Sequence, residues 1–294
     1  IRILDPTEGL KDIGELGLID RNLKVVREAL TKTYGLIFVT GPTGCGKTTS
    51  LYSMLSRLNK EGVNILSIED PVEYFLEGVN QSQIRPEIGY DFASGMRHMV
   101  RQDPDIIMVG EVRDPDTAAL AVHATLTGHV VLSTLHTTNA LGVVPRLIEM
   151  GVEPYLVAPT INIAIAQRLV RLLCPECKEK TKPIKDMKEM ILKSIEDLPP
   201  VVKSKVSIPK PFVVYKPKGC KKCNNQGYKG RTGLYEVLKM TDGLADIVMK
   251  EPSESKIKVE AHRQGMASIK QDGILKVLKG LTSIEEVLRV AKEK

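Results

Sequence analysis

The feature that most constrains this chain is a glycine-rich stretch that follows a short apolar run and precedes a helical pattern. The apolar run, residues 35–40, is short enough to be a buried strand, and a helical pattern begins at residue 48. Residues 41–48 match G-x-x-x-x-G-K-[ST] in the order of strand, loop and helix that the pattern requires. An incidental glycine-rich turn is the weaker alternative, because motif, strand and helix coincide. The stretch therefore predicts a nucleoside triphosphate site.

Each part of this stretch suits phosphate binding. Glycines leave backbone N–H groups free to surround phosphate oxygens, and the helix behind them presents unsatisfied donors and the positive end of its dipole. Lys47 is expected to reach the outer phosphates, and the Thr48 hydroxyl to ligate Mg²⁺. The predicted nucleotide-binding residues are Gly41, Pro42, Thr43, Gly44, Cys45, Gly46, Lys47, Thr48 and Thr49.

The surrounding sequence alternates between strand and helix patterns from about residue 35 to 170. This alternation predicts a mostly parallel, three-layer α/β domain. Two helix starts are signalled by aspartates, one at Asp20 and one at Asp114, where Pro115 follows. The carboxyl ends of parallel strands share one edge of a sheet, where ligands bind.

Acidic residues follow two of the predicted strands and would lie at that edge. Phosphoryl transfer needs Mg²⁺ ligands and a carboxylate that orients water. We expect Glu111 to lie beside the metal and Glu73 to polarise the attacking water, with Glu69 and Asp70 associated with Mg²⁺ or its bound water. For each acid taken alone, a solvated loop carboxylate is an equal alternative.

Histidines and arginines provide further candidates. His129 and His136 bracket one predicted strand, and His136 lies at its carboxyl end, where a γ-phosphate sensor would be placed. A structural histidine is the alternative for both. Arg97, Arg101 and Arg113 are candidate phosphate sensors, since the transition-state charge requires cations.

Cys45 lies inside the predicted phosphate loop, and two interpretations of it are open. The helix dipole and Lys47 would lower the pKa of its thiol and make it reactive. Alternatively, the side chain points into the sheet and is inert.

The other four cysteines form two Cys-x-x-Cys pairs, which are Cys174 with Cys177 and Cys220 with Cys223. Four thiolates can bind a tetrahedral Zn²⁺ without an open position, which is typical of a structural site. The 42 residues between the pairs exceed compact zinc-ribbon spacing and predict a separate excursion of the chain. Free or redox-active cysteines are the alternative.

Positive charge is concentrated around these cysteines. Residues 171–232 carry 16 lysines and arginines against 6 acidic residues, in a chain of net charge +6. The chain contains no tryptophan and only 4% aromatic residues, so bases would have few stacking partners and no nucleic acid is expected. A solvated lysine-rich face is one interpretation, and a surface for an acidic protein is the other.

We therefore predict an α/β protein with a P-loop NTPase core, a tetracysteine zinc-binding lobe and a C-terminal helical lobe. Ile1 is not a start methionine, so an N-terminal portion is expected to be missing. No apolar run is long enough to span a membrane, and the cysteine pattern suits a cytoplasmic protein. The expected parts are a linker remnant (1–19), the ATPase core (20–170), the zinc subdomain (171–232) and the helical subdomain (233–294).

Five stretches of the sequence closely resemble the secretion-ATPase family of type II secretion and type IV pilus systems, and they occur in the family's order. They are GPTGCGKTT at 41–49, IEDPVE at 68–73, RQDPDIIMVGEVR at 101–113, TGHVVLSTLHT at 127–137 and QRLVRLLC at 167–174. The first four resemble its Walker A motif, acidic box, Walker B motif and histidine box. The resemblance implies a RecA-like ATPase that uses ATP and Mg²⁺ as a hexameric ring. It implies Glu73 and Glu111 as key carboxylates and His129 and His136 as the histidine pair.

The resemblance also implies a partner, and the chain differs from the family pattern in two respects. Assembly motors of the family resemble this chain in their paired cysteines, which retraction motors typically lack. Pilus assembly or type II secretion through an inner-membrane platform protein is therefore favoured. Cys45 stands where serine is expected, and the family's N-terminal domain, which contributes arginines to the site, is expected to be missing from this chain. Alternatives are a RecA-like nucleic-acid translocase, a pilus retraction motor, or a zinc-lobe binding module with a vestigial nucleotide site.

Overall fold

The computed structural model describes residues 11–291 of the chain. In the first part, strands and helices alternate as the sequence predicts. The elements are α1 (Asp20–Ala29), β1 (Gly35–Thr40), α2 (Lys47–Leu58), β2 (Ile65–Glu69), β3 (Asn80–Gln83), α3 (Phe92–Met99), β4 (Ile106–Val109), α4 (Pro115–Leu126), β5 (Val130–Leu135), α5 (Val143–Glu149), α6 (Pro154–Thr160) and β6 (Ile161–Leu173).

The second part contains short strands around the cysteines, one long strand and a series of helices. The elements are β7 (Glu179–Thr181), α7 (Lys185–Glu196), α8 (Pro200–Lys203), β8 (Val214–Lys216), β9 (Tyr228–Lys239), α9 (Asp242–Lys250), α10 (Glu254–Arg263), α11 (Ile269–Leu278) and α12 (Ile284–Val290). No helix among the described residues is long and apolar enough to cross a membrane.

Seven strands form the main sheet in the order β3-β2-β4-β5-β1-β6-β9. Every neighbouring pair is parallel except β6 with β9, which is antiparallel. Every residue of β1, β2, β4 and β5 is buried, because apolar cores cover both faces of the sheet. The predicted α/β fold is confirmed.

Of the two aspartates predicted to cap helices, one does so in the structure and the other does not. Asp114 accepts a hydrogen bond from the Thr117 N–H at 2.8 Å and is the predicted N-cap of α4. Asp20 is not the N-cap of α1, because Ile19 occupies that position and the Asp20 carboxylate pairs with Lys279 at 3.1 Å. The first helix therefore begins without a side-chain cap.

Residues 233–239 belong to a strand rather than to a helical lobe. They form the end of β9, which pairs with β6 along most of its length. A buried ion pair holds α11 against this strand: Lys276 donates to Asp272 at 2.6 Å and to the Gly233 carbonyl oxygen at 2.6 Å. The C-terminal helices thus begin after residue 241 and extend the core of the main sheet.

The cysteine region also shares elements with the core. Strands β6 and β9 pass through the expected boundaries at residues 171 and 232. The chain between the cysteine pairs forms β7, α7, α8 and β8, and Ile191 and Ile195 of α7 pack into the main core. Residues 178–219 thus form the predicted insertion between the cysteine pairs, but this insertion packs against the main core.

The described part of the expected linker, residues 11–19, is packed against the core. Ile13 and Leu18 are fully buried, and the Leu16 carbonyl oxygen accepts hydrogen bonds from the Gly233 N–H and the Tyr235 hydroxyl. Residues 1–10, the remainder of that expected segment, lie outside the described residues.

Candidate nucleotide site

The glycine-rich loop between β1 and α2 has a backbone that only glycine adopts readily. Gly41, Gly44 and Gly46 have φ angles of 144°, 76° and 89°. At Gly41 a Cβ atom would lie 2.5 Å from the Gln167 carbonyl oxygen, so a side chain is excluded there. Helix α2 begins at Lys47 without a side-chain cap, which leaves its first N–H groups available to an anion.

Lys47 lies along this loop. Its ammonium group donates to the carbonyl oxygens of Gly41 at 2.9 Å and of Pro42 at 3.2 Å. These contacts hold the cation beside the curve of the loop, where the outer phosphates of a nucleotide would be neutralised. Thr48 follows it at the same opening.

A cleft of about 240 Å³ lies between this loop and the carboxyl ends of β2, β4 and β5. The predicted acids and the loop cations therefore face one space. Its lining residues are Thr43, Lys47, Thr48, Leu51, Glu69, Asp70, Pro71, Glu73, Phe92, Met108, Gly110, Glu111, Arg113, Thr134 and His136.

Glu111 is the most enclosed carboxylate with cationic partners in this cleft. Its side chain is 11% exposed and accepts from His136 Nε2 at 2.9 Å, and its other oxygen forms an ion pair with Arg113. His136 and Arg113 are themselves more than half exposed. Arg113 and His136 at the cleft mouth thus hold one carboxylate that lines the same cleft as Lys47.

Glu69 differs from Glu111 because its partners are neutral and internal. The carboxylate accepts from Ser67 Oγ at 2.6 Å, from Gln81 Nε2 at 3.0 Å and from the Tyr52 hydroxyl. Burial and the neighbouring Glu69 carboxylate raise the pKa of Tyr52, which keeps that hydroxyl protonated as a donor. Glu69 therefore forms a hydrogen-bonded polar floor of the cleft, because both of its oxygens already accept hydrogen bonds from protein side chains.

Asp70 and Glu73 continue from β2 along the rim of the cleft. Asp70 is exposed and Glu73 is half-buried. Both carboxylates can turn toward a metal-bound water or an attacking water, which Glu69 cannot do without breaking three hydrogen bonds.

Three predicted site residues lie away from this cleft. His129 lies at the opposite end of β5 from His136, and its Nδ1 contacts the Ala124 carbonyl oxygen at 2.7 Å. Arg97 is paired with Asp116 at 3.5 Å, and Arg101 is exposed in the turn after α3. Of the three candidate arginines, the structure brings only Arg113 to the cleft.

Cys45 is 4% exposed and its thiol lies under the loop, close to Gly41. Burial raises the pKa of this thiol and outweighs the opposing effect of Lys47. The expectation of a lowered pKa is therefore wrong for the described conformation, because desolvation is the larger effect. The buried, inert alternative fits the structure.

Sequence reasoning did not include two residues of β6, Gln167, which supports the phosphate loop, and Arg168, which contacts the segment after β5. Gln167 Nε2 donates to the Cys45 carbonyl oxygen at 2.8 Å, and Arg168 donates to the Thr138 carbonyl oxygen at 2.7 Å. Both belong to the stretch 167–174 that carries the family resemblance, which was the one available signal.

Cys174, Cys177, Cys220 and Cys223 form a separate cluster. Their sulfur atoms lie within 4.8 Å of one another, and three pairs are 3.8–3.9 Å apart. Tetrahedral zinc with Zn–S bonds of about 2.3 Å requires sulfur separations of about 3.8 Å, so the cluster fits this ion. Burial opposes ionisation of Cys223, but N–H donors at Cys220 and Gly227 outweigh it and lower the pKa to about 6.

Comparisons with known proteins identify relatives of this chain. The chain is 44% identical to type II secretion system protein E of Pseudomonas aeruginosa over 293 residues, which are 100% of this chain and 56% of that protein. It is 46% identical to the type IV pilus assembly ATPase PilB of Myxococcus xanthus, over 98% of this chain and 49% of that protein. The chain thus spans about half the length of the curated relatives it matches.

Solved structures show the same fold. The pilus retraction motor PilT with bound ADP aligns with a TM-score of 0.69 and 25% identity, over 99% of this chain and 69% of that one. The ATPase DotB of Legionella pneumophila aligns with a TM-score of 0.67 and 24% identity, over 95% of this chain and 65% of that one. A family model described as type II/IV secretion system protein matches residues 1–289. The chain therefore belongs to the type II/IV secretion system protein family.

Proposed function

We propose that this chain binds MgATP and hydrolyses it as the motor of a type IV pilus assembly or type II secretion machine. The observation that carries the proposal is that Lys47 and Thr48 share one cleft with Glu111, Glu73, Arg113 and His136. The curated relatives named above are secretion and pilus assembly proteins. Catalysis of phosphoryl transfer depends mainly on positioning and on charge neutralisation, which this set of residues can supply.

Each residue has a proposed role in that reaction. The N–H groups of the loop and the Lys47 ammonium would hold the β- and γ-phosphates, and the Thr48 hydroxyl and the rim acids would hold the metal. Mg²⁺ would neutralise charge on the phosphate oxygens. Glu111 would orient water beside the metal, Glu73 would polarise the attacking water, and Asp70 would help to hold the metal. Glu69 supports the floor of the site through Tyr52.

The exposed partners of Glu111 have a second proposed role. Arg113 and His136 both contact the Glu111 carboxylate. A γ-phosphate entering the cleft would compete for these two side chains and release one face of the carboxylate toward water. His136 then reports whether the γ-phosphate is present.

An assembly or secretion role is favoured over retraction. Identity to the assembly and secretion relatives named above is 44–46%, against 25% to the retraction motor. We further propose that the four cysteines bind one structural Zn²⁺, that the whole protein works as a hexamer, and that it acts in the cytoplasm on an inner-membrane platform protein.

The reaction is tested by measuring magnesium-dependent ATP turnover. Glu111→Gln should lower the rate by about 100-fold or more, because the carboxylate that orients water is lost. Glu61→Gln, an exposed acid away from the cleft, is the matched control and should retain the wild-type rate. Turnover by Glu111→Gln close to wild type would contradict the assignment of Glu111. Stimulation of turnover by single-stranded nucleic acid would favour the translocase alternative.

A further inference from the structure

We infer that Gln167 is a positioning residue that holds the phosphate loop in its anion-binding shape. The inference rests on the proposed nucleotide site and adds a residue that does not itself reach the cleft. Gln167 lies in β6, is 2% exposed, and is opposite Tyr235 in the sheet register.

The side-chain amide of Gln167 forms hydrogen bonds to both the phosphate loop and helix α2, which follows the loop. Nε2 donates to the Cys45 carbonyl oxygen at 2.8 Å, and Oε1 accepts from Ser50 Oγ at 2.7 Å. Cys45 lies in the loop and Ser50 lies in the first turns of α2. One side chain therefore joins the end of the loop to the helix at a buried position.

The bond to Cys45 determines where the next backbone N–H points. In a planar trans peptide the C=O and the following N–H point in opposite directions. Because Gln167 draws the Cys45 carbonyl toward β6, we expect the Gly46 N–H to point away from β6. In the sheet, β6 lies on one side of β1, and the strands that end at the cleft, β4 and β5, lie on the other. The Gly46 N–H is then expected to point to the side on which phosphate would bind.

The backbone of the same residue supports the start of the loop. The Gln167 carbonyl oxygen lies where a Cβ of Gly41 would be only 2.5 Å away, and it accepts from Arg168 Nη1 at 2.9 Å. Residue 167 therefore contacts the loop at its first glycine through the main chain and at Cys45 through the side chain.

An amide is the side chain that fits both partners. The Cys45 carbonyl needs a donor and the Ser50 hydroxyl needs an acceptor, and glutamine supplies one of each. An ionised glutamate would place two acceptors there and a negative charge beneath the phosphate loop. Methionine would fill the space and leave the buried carbonyl oxygen without its donor.

The test is the dissociation constant of MgADP for wild type, Gln167→Glu and Gln167→Met at pH 8, with thermal unfolding recorded for each. We expect both variants to bind about 10- to 100-fold more weakly, the range for a lost buried hydrogen bond with an unpaired partner. Ser50→Ala should weaken binding by less. Ser53→Ala is the matched control, since Ser53 is buried in the same helix but donates to the Lys11 carbonyl oxygen, and it should bind like wild type.

A pH series separates positioning from general destabilisation. Burial at this position should raise the pKa of a glutamate introduced there, so that it gains a proton, and with it a donor, as the pH falls. Gln167→Glu should therefore recover affinity relative to wild type between pH 8 and pH 6, whereas Gln167→Met should not. Wild-type affinity in both Gln167 variants would overturn the inference and leave the nucleotide site standing. If a Gln167 variant does not fold, Ser50→Ala binding no more weakly than Ser53→Ala overturns it. Absence of MgADP binding by wild type would remove both the inference and the proposed site.

Discussion

The cleft and the cysteine cluster are both places where separate segments converge, but they differ in how their groups are committed. In the cleft, Glu111 is paired with the exposed side chains of Arg113 and His136, and Lys47 donates to carbonyl oxygens of its own loop. In the cluster, four chemically identical sulfur atoms face one another with no position left open. The cleft is thus suited to a ligand that enters and leaves, and the cluster to an ion that stays.

The difference also appears in how each region is supported. The cleft depends on a polar floor, with Glu69, Ser67, Gln81 and Tyr52 joined by hydrogen bonds. The cysteine cluster lies where β6 ends and β9 begins, at one side of the main sheet, and has only a small apolar core of its own. Loss of one cysteine should therefore unfold the cysteine region, whereas loss of one cleft side chain should change nucleotide binding or hydrolysis.

The largest expected effect is the loss of the structural metal. Cys220→Ser should carry much less than the one zinc per chain expected of wild type, and the lobe should melt early, since structural zinc contributes about 10 kcal/mol or more in small domains. MgADP affinity should stay within about threefold, because the cleft shares no residue with the cluster. Elemental analysis and calorimetric unfolding provide the measurements.

Cys45→Ser is the matched control for that experiment. It removes a cysteine outside the cluster and should retain the zinc. A wild-type protein without zinc after purification in the absence of chelators would contradict the metal assignment. Loss of nucleotide affinity in Cys220→Ser at a temperature where the core is folded would show that the two regions are not independent.

Thiol labelling sharpens the same comparison. In zinc-loaded protein all five cysteines should react slowly, because four are ligands and burial raises the pKa of Cys45. A chelator should release four thiols that react about 100-fold faster, and Cys45 should react only on unfolding. Mass spectrometry of the alkylated peptides identifies the sites. Rapid labelling of Cys45 in folded protein, slowed by MgATP, would restore the reactive interpretation.

A smaller effect, on stability, is expected for Glu286 of α12, the helix that contacts β6 close to the cysteines. Burial opposes ionisation of Glu286, but hydrogen bonds from Arg289 and Arg171 outweigh it and lower the pKa to about 2. A lowered folded-state pKa means that this stabilisation is present above about pH 4.5 and is lost as pH falls toward 2.

The measurement for Glu286 is the free energy of unfolding as a function of pH. Glu286→Gln should lower it by about 1–2 kcal/mol at neutral pH and reduce the acid dependence between pH 4.5 and 2. Glu285→Gln, one residue earlier and exposed, is the control and should change it little. An unchanged acid dependence in Glu286→Gln would contradict the assigned ion pairs.

Where sequence reasoning succeeded, the signal was local. The fully buried strands β4 and β5 follow from apolar runs, and the start of α4 follows from Asp114 and Pro115. The four cysteines were paired by spacing alone and lie together as expected. The cleft acids converge because parallel strands end at one edge.

The features that the sequence did not predict depend on tertiary contacts. Strand β9 begins with polar and glycine residues and becomes apolar only where it lies against β6. At Ser283 the sequence pattern S-x-x-E is typical of a capping box, but only half of it forms: the hydroxyl accepts from the Glu286 N–H at 3.4 Å, whereas the Glu286 carboxylate pairs with Arg171 and Arg289. Cys45 was judged by its neighbours in sequence, whereas burial controls its pKa.

The central claim is that the cleft is a nucleotide site whose binding and hydrolysis depend on different residues. The most direct measurement is a calorimetric titration of MgATP into Glu111→Gln protein, which lacks the carboxylate but retains the loop. We predict saturable binding of one nucleotide per chain, and its loss when Lys47→Ala is added to the same protein. Failure of Glu111→Gln to bind MgATP, or equal binding with and without Lys47, would contradict the account.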